Sequence, residues 1–183
     1  AAPVWAGAVA AAALATTAWA AWRYRGLSEL RTSSSVTLYG ESSGDAELTS
    51  RAEALLRSGR ETFEAVTVIR YEPGQRLAPH FDANRAASAE DAARGGQTLA
   101  TLLVYLTDAE AGRGGRTIFG SLGLEVTPRK GDACLFFPAS ADGEFDGRLE
   151  HEGEPPEGTQ KYIARIWKHK ERVPFPYGNR GVA

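Results

Sequence analysis

The spacing of apolar and polar residues changes about a third of the way along the chain. Residues 45–58 predict a helix, with Gly59 placed to end it. Four apolar residues recur there at helical spacing: Leu48, Ala52, Leu55 and Leu56. From Ala65 onward the period becomes two, and short runs rich in Val, Ile, Leu, Tyr and Phe alternate with turn residues. This pattern predicts a mainly β domain with flanking helices, arranged as a sandwich or jelly roll.

Seven runs have the length and composition of strands. They cover residues 36–39, 65–71, 99–107, 117–119, 122–127, 132–137 and 161–168. Two longer segments, 83–96 and 139–148, have no clear period, and we expect them to be irregular and mobile. Segment 83–96 comes directly after the tripeptide His80-Phe81-Asp82, and it is the candidate lid of a site at that tripeptide.

The N-terminal residues 1–22 carry no charge and are rich in alanine. Their larger side chains fall on one arc of a helix: Val4, Trp5, Val9, Trp19 and Trp22. Such a one-sided pattern predicts a helix packed on the domain, with a membrane anchor or a targeting remnant as the alternative. We therefore expect a packed N-terminal helix over 1–30, a main domain over 31–170 and a C-terminal tail over 171–183.

Composition and charge exclude several classes of protein. The chain has 183 residues and a formal net charge of −2, without the basic excess of a nucleic-acid-binding domain. Its single cysteine, Cys134, excludes a disulfide within the chain and a cysteine-based zinc site. Cys134 lies in an apolar run, where we expect a buried small side chain. Membrane association is not favoured, and the cellular compartment stays open.

The tripeptide His80-Phe81-Asp82 is the sharpest candidate for chemistry. In a strand, residues i and i+2 point to the same face, so an imidazole and a carboxylate stand side by side. The chain has two other histidines, His151 and His169, either of which could complete a set of two histidines and one carboxylate. That set with open positions is the facial triad of non-heme Fe(II) oxygenases. A solvated His–Asp pair on an exposed strand is the alternative.

From about residue 31 to 168 the chain resembles the prolyl 4-hydroxylase group of Fe(II)/2-oxoglutarate dioxygenases. The matching motifs occur in the same order as in that family. They are RTSS (31–34), RYEPGQ (70–75), PHFD (79–82), GGQTLATLLVYLTD (95–108), GGRTIF (114–119), PRKGDACLFF (128–137) and HEGEPPEGTQKYIARIW (151–167).

The resemblance implies a double-stranded β-helix and assigns its site residues. The implied metal ligands are His80, Asp82 and His151. Lys161, ten residues after the distal histidine, matches the basic residue that binds the distal carboxylate of 2-oxoglutarate. Tyr71 and Thr117 match positions that contact the co-substrate. Trp167, also placed on the co-substrate side, shares a strand face with Lys161, which favours an inward lysine, and Arg165 on that face is the next candidate anchor.

Two positions depart from the peptidyl-proline enzymes of this family. Thr98 stands where an arginine usually follows the GGQ motif, and Leu77 stands where a tyrosine usually precedes the metal histidine by three residues. Both positions are associated with the substrate side of the pocket. The iron and 2-oxoglutarate sites are left intact, but the substrate is in doubt. The remaining histidine, His169, lies among charged residues, and we expect it to be exposed.

The implied activity is hydroxylation of an unactivated C–H bond with Fe(II), 2-oxoglutarate and O2, with ascorbate as a candidate reductant. A prolyl residue in a peptide or protein is the first substrate candidate. The alternatives are the same chemistry on a free amino acid or small metabolite, and a non-catalytic jelly-roll binding module. A nucleic-acid partner is not expected.

Overall fold

The computed structural model of the protein describes residues 30–40, 42–86 and 92–180. Residues 1–29 are outside these ranges, so the predicted N-terminal helix and its membrane alternative lie outside the described residues. In the part of the chain that the structure describes, no helix combines the length and apolar character that a membrane span needs.

Across the described ranges, nine strands form two antiparallel sheets, and one α-helix, α1 (Ser43–Leu56), packs outside them. The strands are β1 (Ser34–Leu38), β2 (Val66–Tyr71), β3 (Leu77–His80), β4 (Thr98–Tyr105), β5 (Thr117–Phe119), β6 (Leu124–Val126), β7 (Ala133–Phe136), β8 (His151–Gly153) and β9 (Lys161–His169). The larger sheet has the order β1-β2-β9-β4-β7, and the smaller has the order β3-β8-β5-β6. This is the predicted jelly roll.

Strand alternation divides the apolar side chains between two clusters. The inner cluster takes residues from both sheets: Ile69, Tyr71, Leu103, Tyr105, Phe119, Phe136 and Ile163. The outer cluster lies between the larger sheet and α1: Ala52, Phe63, Val66, Leu102, Ala164 and Ile166. The helix therefore supports the back of the larger sheet, and the front of that sheet is free to build the interior of the barrel.

Helix α1 begins at a capping box, in which Ser42 and Asp45 satisfy each other's backbone N–H groups. It ends at Arg57, whose φ of 48° is left-handed and whose N–H donates to the carbonyl of Glu53. The prediction that Gly59 ends the helix was wrong, because the chain has already left the helix two residues earlier. Leu55, expected on the core face, is 59% exposed, so the buried stripe is narrower than predicted.

Most of the predicted strands are present, with small differences in their bounds. Residues 117–119 were predicted with the observed bounds, and β2, β4, β7 and β9 differ from their predictions by at most two residues at either end. Strand β8 was not predicted, because three residues ending in glycine carry no detectable period. Residue Leu122 belongs to a 3₁₀ turn that precedes β6.

The C-terminal tail packs back onto the domain over its described part. Val173 is buried and its N–H donates to the carbonyl of Glu61, and the N–H of Ala65 donates to the carbonyl of Tyr177. The tail thus covers the start of β2. Residues 181–183 are outside the described ranges.

Replacing Phe63 by alanine tests the cluster between the helix and the sheet. Phe63 is 1% exposed, and we expect Phe63→Ala to lower the free energy of unfolding by about 3–5 kcal/mol. Leu55→Ala, in the exposed part of α1, is the control and should change it by less than about 0.5 kcal/mol. Chemical denaturation measures both. Equal losses in the two variants would contradict the described packing.

Candidate metal and co-substrate site

Strands β3 and β8 bring two histidines and one aspartate to the same point inside the barrel. In the antiparallel register His80 lies opposite His151, with ring centroids 4.3 Å apart, and Asp82 follows β3 by two residues. Nε2 of His80 lies 3.5 Å from Oδ1 of Asp82, and Nε2 of His151 lies 3.6 Å from Oδ2. The three ligand atoms all lie within 4.8 Å of one another. Of the two candidates for the third ligand, the fold therefore brings His151 to the pair.

Backbone carbonyls orient both imidazoles. Nδ1 of His80 is 2.9 Å from the carbonyl oxygen of Ala78, and Nδ1 of His151 is 3.0 Å from that of Leu149. An Nδ1–H that donates to a carbonyl leaves the lone pair on Nε2, the atom that faces Asp82. Burial lowers the pKa of His151, although Asp82 partly opposes this effect. A neutral imidazole with Nε2 facing the site is the form that ligates a metal.

Asp82 is held as a buried carboxylate. Burial by itself would raise its pKa, but the two imidazoles and the Thr101 hydroxyl beside it hold that pKa well below its usual value. The hydroxyl of Thr101 donates to Oδ2 at 2.7 Å, which leaves Oδ1 less constrained. Two imidazole nitrogens and one carboxylate oxygen with an open side form the donor set of a non-heme Fe(II) site. The residues present therefore fit Fe(II).

Lys161 is buried in the same cavity without an anionic partner. It is 4% exposed, and its Nζ lies 3.4 Å from the carbonyl oxygen of Arg116 and 5.3 Å from the centre of the Tyr71 ring. Glu154 is the nearest acidic influence, but both of its carboxylate oxygens bind Arg116, at 2.6 and 2.7 Å. Burial lowers the pKa of Lys161 to about 8, and Glu154 partly opposes the shift. No carboxylate of a described residue lies within ion-pair distance of this ammonium.

The remaining walls of the cavity come from both sheets. The unfilled space is about 440 Å³ with its open mouth included. Tyr71, Thr117 and Leu77 all line it. The Thr117 hydroxyl accepts a hydrogen bond from Tyr105 at 3.0 Å, and burial raises the pKa of Tyr105 to about 12. Apolar side chains complete the lining: Ile69, Leu103 and Ile163.

Three residues lie outside that lining. Trp167 packs its ring on the guanidinium of Arg165 at 3.6 Å, and Thr98 is buried at the start of β4 opposite His169. The expectation that His169 is exposed was wrong, since it is 3% exposed. Strand β9 continues one residue further than predicted, and His169 contacts the carbonyl of Gly96 at 3.0 Å and Glu64 at 3.2 Å. Cys134 is partly buried against the inner cluster, broadly as expected.

Three features of the site had no assigned part in the sequence analysis. Thr101 lies in an apolar strand, where a threonine gives no signal of a contact with a metal ligand. Arg31 belongs to the RTSS motif and lines the cavity. Gly153 leaves room for Tyr71, because a Cβ at this position would lie 3.2 Å from the Tyr71 hydroxyl. The alternation of residues in a strand indicates which face of the sheet a side chain lies on. It does not indicate which side chain of another strand it contacts inside the barrel.

The contact between Thr101 and Asp82 should support metal affinity. Thr101→Val keeps the shape of the side chain and removes the donor, and we expect Fe(II) to bind about 10- to 100-fold more weakly. Thr101→Ser keeps the hydroxyl and should restore most of the affinity. An anaerobic Fe(II) titration measures this, with Thr49→Val in α1 as a control for losing a buried hydroxyl. Unchanged Fe(II) affinity in Thr101→Val would show that the hydrogen bond does not support the site.

Comparison with known proteins agrees with this geometry. Residues 66–169, more than half of the chain, match the profile of the 2OG-Fe(II) oxygenase superfamily. Prolyl 4-hydroxylase 1 of Arabidopsis thaliana is 38% identical over 122 residues, which cover 61% of this chain and 42% of that protein. Prolyl 4-hydroxylase subunit alpha-2 of Gallus gallus is 31% identical over 130 residues, which cover 71% of this chain and 24% of that protein. The chain thus spans less than half the length of these curated relatives.

A solved structure is similar over a larger share of its length. The viral collagen prolyl hydroxylase from Paramecium Bursaria Chlorella virus-1, solved as a 2OG complex, is 32% identical with a TM-score of 0.65. The similarity covers 75% of this chain and 78% of that one. The residues that match the family profile, 66–169, include His80, Asp82, His151 and Lys161. The chain belongs to the 2OG-Fe(II) oxygenase superfamily, as a relative of the prolyl 4-hydroxylases.

Proposed function

We propose that the protein is an Fe(II)- and 2-oxoglutarate-dependent dioxygenase that hydroxylates a prolyl residue of a peptide or protein. One observation carries the proposal: three side chains that could hold a metal ion and a buried lysine with no ion pair among the described residues line the same cavity. A buried ammonium without a partner is costly, so its place in the cavity favours an anionic ligand. The names of the relatives, which are prolyl hydroxylases, support the prolyl substrate.

Each residue of the site has a defined part in this chemistry. His80, Asp82 and His151 would hold Fe(II) and leave one side of it open toward the cavity. When bound, Fe(II) and 2-oxoglutarate supply the oxidation, in which O2 and 2-oxoglutarate give succinate and CO2 and one oxygen atom enters the C–H bond. The hydrogen bonds from the imidazoles to the carbonyls of Ala78 and Leu149 keep the ligand atoms oriented without a bound metal.

Lys161 would bind the distal carboxylate of 2-oxoglutarate. Its carbonyl contact with Arg116 is long, at 3.4 Å, so the ammonium can turn toward a carboxylate at little cost. Arg116 occupies the carboxylate of Glu154, and no acidic group of the described residues forms an ion pair with Lys161. Tyr71 and Thr117 flank the same part of the cavity and offer hydroxyl groups to the co-substrate.

The apolar walls of the cavity exclude water from the reacting centre. Ile69, Leu103 and Ile163 line it and offer no hydrogen bonds. Water exclusion strengthens the electrostatic interactions inside and limits side reactions. The predicted lid has its residues 87–91 outside the described ranges, while Gln97 binds the backbone of Asn84 at its base. Ascorbate remains a candidate reductant that would act on the metal.

The non-catalytic alternative explains these observations less well. A binding module has no need for three aligned ligand atoms or for a lysine that lacks an anion. Hydroxylation of a free amino acid or small metabolite is still supported by two positions. Leu77 lines the cavity where peptidyl-proline enzymes carry a tyrosine, and Thr98, where they carry an arginine, lies away from the cavity.

Loss of a metal ligand should abolish turnover. We expect His80→Ala, Asp82→Ala and His151→Ala each to stop Fe(II)-dependent formation of succinate from 2-oxoglutarate, since each removes one of three protein ligands. Asp132→Ala, an exposed aspartate outside the cavity, is the matched control. Full activity in Asp82→Ala would refute the assigned ligand set.

The charge of Lys161 should govern 2-oxoglutarate affinity. A charge-assisted hydrogen bond contributes about 1.5–3 kcal/mol, so Lys161→Ala should weaken binding about 10- to 150-fold with less effect on Fe(II). In the parent protein the ammonium loses its proton as the pH rises through about 8, so the dissociation constant should rise about tenfold between pH 7 and pH 9.

Lys161→Arg is the control for this pH dependence. The guanidinium keeps its charge over the same range, so the variant should bind with altered affinity that does not change between pH 7 and pH 9. Equilibrium titration of 2-oxoglutarate without O2 measures all three proteins. A parent protein whose affinity is constant over that range, or an arginine variant that follows the parent, would argue against Lys161 as the anchor.

A further inference from the structure

The cavity holds more cationic groups than the iron site and the co-substrate account for. Arg31 and Arg165 line it together with Lys161. Neither arginine has a part in holding Fe(II), and Lys161 already matches the distal carboxylate of 2-oxoglutarate. Each of the two guanidinium groups also has a buried nitrogen with no hydrogen-bond partner in the described structure: Nη2 of Arg31 and Nε of Arg165.

Arg165 is held in place by its surroundings but is poorly paired. Its guanidinium packs on Trp167 at 3.6 Å, and its one ion pair with a described residue, to Oε2 of Glu64, is long at 3.5 Å. The other oxygen of Glu64 binds Arg94 at 2.8 Å and contacts His169 at 3.2 Å. Glu64 therefore serves several cationic or hydrogen-bonding partners at once. The rigid stacking leaves Arg165 oriented, and its Nε–H remains available for a ligand.

Arg31 approaches the cavity from the segment before β1. Its Nε donates to the hydroxyl of Ser33 at 3.0 Å, which fixes the side chain but satisfies only one of its donors. Glu152, an acidic residue that also lines the cavity, forms no ion pair within 4.0 Å with a described arginine. Arg31 thus presents a guanidinium to the cavity without a carboxylate to neutralise it.

Charge balance shows what is missing. The charges of Fe(II) and Lys161 are matched by Asp82 and the dianion 2-oxoglutarate. Glu64 lies outside the lining and is closer to Arg94, at 2.8 Å, than to Arg165, at 3.5 Å, so Arg94 already matches its charge. Arg31 and Arg165 then add two positive charges to the cavity lining, against the one negative charge of Glu152, so one cation has no matching anion among the described residues. Buried charges are stable when they are paired, so the arrangement favours a second anion in the cavity beside 2-oxoglutarate.

The positions along β9 separate this second anion from the first. Lys161 and Arg165 occupy the same strand face four residues apart, which corresponds to about 13 Å between their Cα atoms. They pair across β2 with Tyr71 and Thr67, at opposite ends of that strand. A 2-oxoglutarate bound at Lys161 therefore leaves Arg165 at the other side of the cavity.

We infer that the substrate carries a carboxylate close to the carbon that is hydroxylated, and that Arg165 and Arg31 bind this group. The inference rests on the Fe(II) and 2-oxoglutarate chemistry of the proposed function, and it limits the substrate to one with a free carboxylate. An arginine fork suits a carboxylate, and the apolar wall at Leu77 and Leu103 suits an aliphatic or prolyl body. A free amino acid and the C-terminal residue of a peptide both supply this chemistry, whereas an internal residue of a chain does not.

Matched acid and amide pairs test the inference. The probes are L-proline against L-prolinamide, and a proline-rich peptide ending in a free prolyl carboxylate against the same peptide amidated. Binding is measured by calorimetry without O2 on the protein loaded with Fe(II) and 2-oxoglutarate. Substrate-stimulated succinate formation and mass-spectrometric detection of hydroxylation follow in air. We expect the acid of at least one pair to bind tenfold or more tightly than its amide, and the pair that responds identifies the source of the carboxylate.

Variants assign the preference to the two arginines. Arg165→Gln should reduce binding of the acid to the level of the amide and leave the affinities for the amide and for 2-oxoglutarate within about twofold of the parent. Arg31→Gln should lower the acid preference independently, in case Arg165→Gln does not fold, and Arg165→Lys should retain part of it. Arg70→Gln, an exposed arginine on the outer face of β2, is the control and should keep the full preference.

The outcomes separate this inference from the proposed function. The inference is overturned if neither pair shows tighter binding of the acid than of the amide, or if no probe binds at all. In either case, turnover of 2-oxoglutarate would still support the proposed function. Loss of 2-oxoglutarate affinity in Arg165→Gln, with the acid preference intact, overturns it as well, because Arg165 would then be a co-substrate ligand. A parent protein that neither binds nor turns over 2-oxoglutarate would instead refute the proposed function.

Discussion

The pairing of β3 with β8 determines where the atoms of the proposed metal site lie. Leu77 is opposite Gly153 and His80 is opposite His151, so the register shifts by one residue between these pairs. Without the shift, Pro79 would stand opposite His151 and His80 would turn to the other face of the sheet. Strand β3 is at the edge of its sheet, where a proline without an N–H is tolerated. This short irregular strand, rather than the large sheet, sets the geometry of the site.

The larger sheet supplies the charges that surround this point. Strand β9 carries Lys161 and Arg165 on its inner face, and β4 beside it carries Thr101, which binds Asp82. Helix α1 packs on the opposite face of the same sheet, so these side chains project from a sheet that is supported from behind. Cations that lack partners in such a space favour the binding of anionic ligands. The fold thus places the proposed metal site between Lys161, which would bind 2-oxoglutarate, and Arg165, which would bind the substrate carboxylate.

Several parts of this account could be predicted from the sequence, for different physical reasons. The long strands were predictable because their alternation persists over many residues, as in β4 and β9. The third metal ligand, His151, was predicted from the order of the family motifs. The residues alone left His151 and His169 as equal candidates for that position. The burial of His169 could not be predicted, because its partners Glu64 and Gly96 are distant in the chain and meet it only through the packing of β9. The register shift in β3 and the contact of Thr101 with Asp82 depend on pairings between strands, which a one-dimensional pattern does not record.

The most direct test of the central claim is an anomalous-diffraction structure of crystals grown without O2 in the presence of Fe(II) and 2-oxoglutarate. We predict one iron peak bound by Nε2 of His80, Nε2 of His151 and a carboxylate oxygen of Asp82. We also predict the distal carboxylate of 2-oxoglutarate at Nζ of Lys161, with Arg165 free of the co-substrate. Iron bound elsewhere, or a co-substrate carboxylate at Arg165 with Lys161 unpaired, would contradict it.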